Sequence, residues 1–230
     1  MPDREQRFLA MLDTVEAVTS GRPRVLDLAG GPGSISRRLL RRWPQAQVTG
    51  VDLDPVLLAI ARAGLPAHAT VVSADLNRPQ WSDSLPHHDY DAVLTATALH
   101  WLMPDRVADL YREIRQVLRP GGVFINADHI TDDGLPGLSR QLDARARARR
   151  EARYAAGAVL SWQAWWQHVA TDPVLGPLAA QRAELLALEH RSSEVFPPLS
   201  WHLASLQAAG YAETGLIWRG GTDAAVAAVR

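Results

Sequence analysis

The stretch VLDLAGGPGSIS, Val25 to Ser36, decides the fold. An apolar run enters a glycine cluster and a helical pattern follows, so the junction reads as strand, turn, helix. Such a junction aims backbone N–H groups and the positive end of a helix dipole at one spot. It can hold the phosphates of a dinucleotide, hold a different nucleotide cofactor, or merely turn the chain. Gly31-x-Gly33-x-x-Ser36 departs from the G-x-G-x-x-G fingerprint only in its third position. Asp52 closes the next strand pattern, where an acid accepts from ribose hydroxyls. Three features separate the candidates. Asp27 lies inside the first strand, awkward for a pyrophosphate and suited to a cationic ligand. Ser73-Ala-Asp-Leu76 ends the third strand with an acid able to accept from an adenine amino group. A C-terminal hairpin is unusual in dinucleotide-binding sheets.

Outward from the junction, strand and helix patterns alternate. Phe8, Met11, Leu12 and Val15 form a helical stripe before the first strand. Strands are expected at residues 24–29, 47–52, 68–74, 90–95 and 123–127, and helices at 34–43, 55–62 and 105–118, with Asp54 and Pro55 as N-cap and N1 of the second of these. Short strands rich in Val and Leu between helices mean βαβ units and a parallel sheet. From about residue 131 to 198 no strand is legible, only helical segments near 138–156, 162–170 and 178–189. A helix at 199–208 and strands at 213–218 and 224–229 follow, the strands joined through Gly220-Gly221 and therefore antiparallel. The expected fold class is α/β: a Rossmann-like, doubly wound, seven-stranded sheet, mostly parallel, with an antiparallel C-terminal β-hairpin and a helical lid insertion. One domain over residues 1–230 is expected, divided into an N-terminal helix (1–22), a cofactor-binding core (23–130), the lid (131–198) and a C-terminal helix and hairpin (199–230).

Composition bounds the function. The 230 residues are 47% hydrophobic and 21% charged, with net charge −1, so no global field favours nucleic acid or an anionic membrane. All 24 basic residues are Arg. There is no Cys, which rules out disulfides, thiolate nucleophiles and Cys-ligated zinc. The charged N-terminus has no long apolar run and no window reaches the length of a membrane span, so a soluble cytoplasmic protein is expected.

Taken together, the motifs resemble those of class I S-adenosylmethionine-dependent methyltransferases. That family's first motif runs apolar-apolar-acid-x-Gly-x-Gly-x-Gly; VLDLAGGPG places Asp27 on the acid and Gly31 and Gly33 on the second and third glycines. Ala29 stands at the first glycine. Its methyl is tolerated where φ is negative, and Gly30 restores flexibility next door. GVDLDP resembles the second motif, implying Asp52 on the ribose with Leu53 beside it. SADL resembles the third, implying Asp75 on the adenine and Leu76 backing the ring. YDAVLTATALHWL and LRPGGVFI resemble the fourth and fifth, with Thr95 on the cofactor side. The resemblance covers residues 24–129 and implies S-adenosyl-L-methionine as methyl donor.

Transfer from a sulfonium is an in-line displacement at carbon, so the protein must align the nucleophile and remove its proton; no metal is called for. His100 and His129 follow the fourth and fifth strands, each a candidate general base, with Asp128 placed to orient His129 or replace it. The blander alternatives are that His100 packs on Trp101 and that His129 is a loop residue. His68, His87, His88 and His190 read as loop or surface positions. Trp162, Trp165, Trp166 and Val169 share a helix face capped by Ser161; the stripe docks the lid or lines a substrate pocket, and Trp101, Trp162 and Trp165 are the substrate-side candidates. The arginines of residues 144–153 fall all round a helix and read as a solvated face; with net charge −1 and no second basic segment, an RNA contact is disfavoured. Arg7 is a candidate for the methionine carboxylate. The expected function is methyl transfer to oxygen or nitrogen of a small molecule. A macromolecular acceptor (RNA or protein), a nicotinamide-dependent oxidoreductase and a non-catalytic cofactor-binding scaffold are the alternatives; oligomeric state is open, a homodimer included.

Overall fold

The computed structural model describes residues 4–188 and 194–230. Its strands are β1 (Arg24–Leu28), β2 (Gln47–Asp52), β3 (Thr70–Ser73), β4 (Tyr90–Ala96), β5 (Leu118–His129), β6 (Glu213–Gly220) and β7 (Asp223–Val229). Its helices are α1 (Arg4–Val18), α2 (Ser34–Arg42), α3 (Pro55–Gly64), α4 (Pro104–Val117), α5 (Pro136–Ala155), α6 (Trp162–Thr171), α7 (Gly176–Leu188) and α8 (Leu199–Ala208). The seven strands form one sheet in the order β3-β2-β1-β4-β5-β7-β6. β1 to β5 pair in parallel, and β7 is antiparallel to both β5 and β6. The order reverses direction between β1 and β4, where a crevice opens at the carboxyl edge of such sheets.

The inner strands are covered on both faces, which is why they read as continuous apolar runs rather than alternating ones. Alternation survives in where each side chain points. Val25, Leu94, Ile125 and Ala225 enter the layer shared with α1 and α2, while Leu26, Val93, Phe124 and Ala224 enter the layer shared with α4 and α8. This parity also decides which face each functional residue occupies at the carboxyl edge.

Three elements differ from expectation. β5 begins five residues earlier than residue 123 and takes in Arg-Pro-Gly-Gly; the register shifts between Tyr90 and Ala92, and Gly121 has φ +70°, so the irregularity accommodates Pro120. The segment between β3 and β4 holds a 3₁₀ helix (Pro79–Ser84) that buries Trp81, whose indole N–H donates to Glu113 at 2.7 Å. Such a short turn carries no 3.6-residue stripe to read. A second 3₁₀ turn, Leu99–Trp101, carries His100.

The inserted helices are unequal partners of the sheet. α5 contains no buried residue, although Leu138, Leu142 and Tyr154 stand on it exposed. α7 is tied to α3: Arg182 pairs with Asp54, whose other oxygen caps α3 by accepting from Val56 and Leu57 N–H. The Arg182 guanidinium lies 3.7 Å from the centre of the Trp166 ring, so the tryptophan face of α6 docks on α7. The helix end expected at residue 189, and His190 beyond it, lie outside the described residues. Among the described residues no helix is long and apolar enough to cross a membrane.

Candidate active site at the carboxyl edge of the sheet

The turn after β1 is wound by positive φ at Ala29 (+50°), Gly31 (+55°) and Gly33 (+80°). The negative φ under which the Ala29 methyl would be tolerated is not met: the loop imposes a glycine conformation on an alanine, at a cost of about 1–2 kcal/mol. Gly30 is required for a different reason. A Cβ there would stand 2.7 Å from Asp27 Cγ, so the loop closes directly over the carboxylate.

Asp27 is fully buried on the α2 face. Its Oδ2 accepts from Ser36 N–H (2.9 Å) and Ser36 Oγ–H (2.6 Å), satisfying an orphan donor in the first turn of α2. Its Oδ1 has no partner. Burial raises its pKa to about 6, the Ser36 hydrogen bonds opposing. Asp27 therefore holds the loop and the start of α2 rather than presenting a carboxylate at the surface of the crevice.

Asp52 ends β2 and joins it to the same loop: Oδ2 accepts from Gly31 N–H at 2.8 Å and Oδ1 from Asp54 N–H at 2.9 Å. Burial pushes its pKa upward, against those bonds. Leu53 beside it is half-buried. Beyond β3, Asp75 accepts from Asn77 N–H and pairs with Arg78 at 3.3 Å, and Leu76 is buried in the core. Thr95 is different. Its side chain is fully buried with Oγ1 unpartnered, facing the α4 and α8 layer beside Asn126, so it offers no surface to a ligand. The residue that stands out at this strand end is Thr97, in the left-handed region at φ +52°, its N–H donating to Ala127 O.

Two histidine–aspartate pairs lie side by side where β4, β5 and β7 end or begin. His100 Nδ1 is 2.8 Å from Asp128 Oδ1, and His129 Nδ1 is 2.5 Å from Asp223 Oδ1. The ring centres of the two histidines are 5.7 Å apart. The expectation that Asp128 orients the His129 ring is corrected. Asp128 accepts from the His129 backbone N–H, but consecutive residues of a strand point to opposite faces, so its carboxylate serves His100. Antiparallel pairing sets Asp223 opposite His129 in register and supplies the second carboxylate.

The electrostatics follow. The Asp223 hydrogen bond raises the His129 pKa, against partial desolvation. Burial pushes Asp128 up, but His100 outweighs it and the carboxyl sits below its usual range. His100 is 8% exposed and His129 keeps 29% of its side chain exposed, so His129 is the more accessible ring.

Phe196 was not singled out by the sequence, yet it packs on both rings, at 5.3 Å from His100 and 5.6 Å from His129. The strap carrying it is held at both ends: Val195 N–H donates to His100 O and Leu199 N–H to Thr131 O. Trp101 lies 5.3 Å from His100 and is 40% exposed. Trp162 and Trp165 stack on each other at 5.7 Å, and Trp162 is 61% exposed. No ring contact joins either of them to the histidines among the described residues. His202, also unremarked in the sequence, completes a buried chain in which Asn126 donates to Tyr111 OH and that hydroxyl lies 2.7 Å from His202 Nδ1.

A glycine loop at a topological switch point, acids closing β2 and β3, and an antiparallel hairpin define the class I methyltransferase fold, whose members use S-adenosylmethionine. Residues 25–122 match the methyltransferase domain family. The chain is 40% identical over 100 residues to a trans-aconitate 2-methyltransferase of Azoarcus sp. (strain BH72), an alignment spanning 44% of this chain and 36% of that relative. In structure it resembles human N-acetylserotonin methyltransferase in complex with SAM (TM-score 0.60, 16% identity, 99% of this chain and 51% of that one). It also resembles an S-adenosylmethionine-dependent methyltransferase from Mesorhizobium loti (TM-score 0.56, 19% identity, 96% and 98%). The family match thus covers residues 25–122, and the fold is that of class I S-adenosylmethionine-dependent methyltransferases.

The residues present suit that donor. Gly31 has only Leu57 within 4 Å of a would-be Cβ, at 3.8 Å, so a ligand can approach its backbone. Asp52 closes β2 beside the Gly31 N–H, and Asp75 lies two residues beyond the end of β3.

Proposed function

We propose that this protein transfers the methyl group of S-adenosylmethionine to an oxygen or nitrogen of a small molecule, with His129 as general base. The observation that carries the reading is the pair of histidine–aspartate dyads beside the glycine loop at one sheet edge. The donor supplies an activated methyl group on a sulfonium. The chain's own tasks are to hold the acceptor in line and to take its proton. Asp223 accepts the His129 Nδ1–H, which leaves Nε2 as the free lone pair and stabilises the imidazolium formed on proton transfer. His100, held by Asp128, positions the rings and shields the site with Phe196. Asp27 and Gly30 keep the loop in shape, Asp52 and Leu53 take the ribose end, and Asp75 with Leu76 the adenine end. The described residues between 131 and 198 act as the cover, the strap at 194–198 reaching the dyads and Trp101 lining the mouth.

A carboxylate acceptor, already ionised and needing no base, is the second reading, favoured by the trans-aconitate 2-methyltransferase relative. The experiment is calorimetry with S-adenosylhomocysteine and with NAD(H), followed by label transfer from methyl-labelled donor to small carboxylates, phenols and amines. Binding of S-adenosylhomocysteine with transfer to one class is expected, and His129→Ala should lower transfer to a phenol or amine about 10²–10⁴-fold. NAD(H) binding in its place, or label entering only RNA or protein, would overturn the proposal.

A further inference from the structure

Of the inserted helices, α7 packs on α3 and α6 on α7, beside the donor turn. Arg182 of α7 makes a join there with Asp54, the two side chains only 22% and 13% exposed. An ion pair so shielded weighs more than one at the surface, and removing either partner leaves the other charge uncompensated. The guanidinium also lies on the Trp166 face. The Trp166 Nε1–H is buried with no partner, so ring contacts hold that side chain in place. On its other side Asp54 leads into the glycine loop. Its Oδ1 caps α3, its N–H donates to Asp52 Oδ1, and Asp52 Oδ2 accepts from Gly31 N–H. A continuous series of contacts thus runs from Trp166 through Arg182, Asp54 and Asp52 to Gly31, with Arg182 linking the lid to the turn.

We infer that Arg182 is a positioning residue of the donor site: it fixes Asp54, and through Asp54 the Asp52 carboxylate and the Gly31 turn, so that lid docking and donor binding strengthen each other. Without the guanidinium, Asp54 keeps one oxygen unpaired and its charge uncompensated, and the turn that carries the Asp52 bond is held from α3 alone. Such coupling is reciprocal: whatever Arg182 adds to donor affinity, the donor adds to the docking of α6 and α7. The inference rests on the proposed function in its use of Asp52 for the ribose end of the donor, and not on the acceptor.

Full-length wild type, Arg182→Met, Asp54→Asn and the double variant are compared by calorimetry with S-adenosylhomocysteine, and amide exchange of α7 is followed with and without that ligand. Methionine keeps an apolar chain on Trp166; asparagine keeps the cap of α3 and removes the paired charge. Arg182→Met is expected to bind S-adenosylhomocysteine at least about fivefold more weakly. The same change made in the Asp54→Asn background should cost less than about twofold, because Arg182 acts through Asp54. The ligand should slow exchange in α7 of wild type but not of Arg182→Met, and leave α5 unchanged in both. Should Arg182→Met fail to fold, Asp54→Asn carries the test and must lose the slowing in α7 that wild type shows. A folded Arg182→Met that binds as wild type does overturns the inference. So does a loss as large in the Asp54→Asn background, or an α7 whose exchange ignores the ligand in wild type or responds to it equally in the variant. A wild type that binds no S-adenosylhomocysteine overturns instead the proposed function.

Discussion

Ala29 and Gly30 show how closely one turn is specified. Replacing Ala29 by Gly removes about 1–2 kcal/mol of left-handed strain and adds about 0.5–1 kcal/mol of chain entropy to be lost on folding. The net effect is a small gain, read by calorimetry as a melting temperature higher by about 1–3 °C; a fall would show that the methyl packs usefully. Gly30→Ala should cost about 2 kcal/mol or more, because its Cβ meets the Asp27 carboxylate with no room to give. The three atoms nearest that Cβ all belong to Asp27, so the Gly30→Ala cost should fall sharply when measured in an Asp27→Ala background. Denaturant titration of the four proteins of this cycle measures that coupling. Additive costs would mean that the loop backbone, and not the carboxylate, fixes the need for glycine.

Among the elements, the C-terminal hairpin matters most for the chemistry. Because β7 runs against β5, its first residue lands opposite the last residue of β5. The Asp223 side chain thereby raises the His129 pKa. Asp223→Asn should bring the His129 titration, followed by NMR of the ring protons, down toward pH 6.5. An unmoved titration would place the charge elsewhere. α5 makes the opposite point. With no buried residue it has little but its own hydrogen bonds to hold it, so its amides should exchange far faster than those of α4, which buries Val107, Leu110, Tyr111, Ile114 and Val117. Equal protection of the two helices would require a partner for α5.

At the level of the whole molecule, two buried groups on opposite sides of the sheet balance each other in acid. Asp27 has a folded pKa of about 6 against 3.8 ordinarily, so its contribution is present below pH 3.8 and is lost as pH rises through 6. Burial lowers His202 to about 4 from 6.5, so its contribution is present above pH 6.5 and is lost as pH falls through 4. Each amounts to about 3 kcal/mol, of opposite slope between pH 4 and 6. Their sum leaves stability nearly flat in that window. His202→Gln removes one side, and the variant should gain stability on acidification from pH 6 to 4, measured by denaturant unfolding at each pH. Loss of stability there would mean that other carboxylates dominate.

Strand and helix order, the antiparallel hairpin and the glycine loop were legible along the chain because they depend on local properties. Those are the period of apolar residues, capping at Asp54 and Pro55, and turns that need glycine. So were His100 and His129 as candidates, since the ends of parallel strands meet at one edge. What pairs with them was not. Asp128 and Asp223 choose their histidines by side-chain parity and by a register between strands almost a hundred residues apart. Phe196 reaches the rings because a strap is tied at both ends by backbone hydrogen bonds. Arg7 lost its solvent only when α1 packed across the sheet, and Ala29 took its positive φ from the loop that closes over Asp27. Sequence determined the elements and the chemistry available; tertiary packing decided which groups meet, because pairing and desolvation depend on distances that no local pattern encodes.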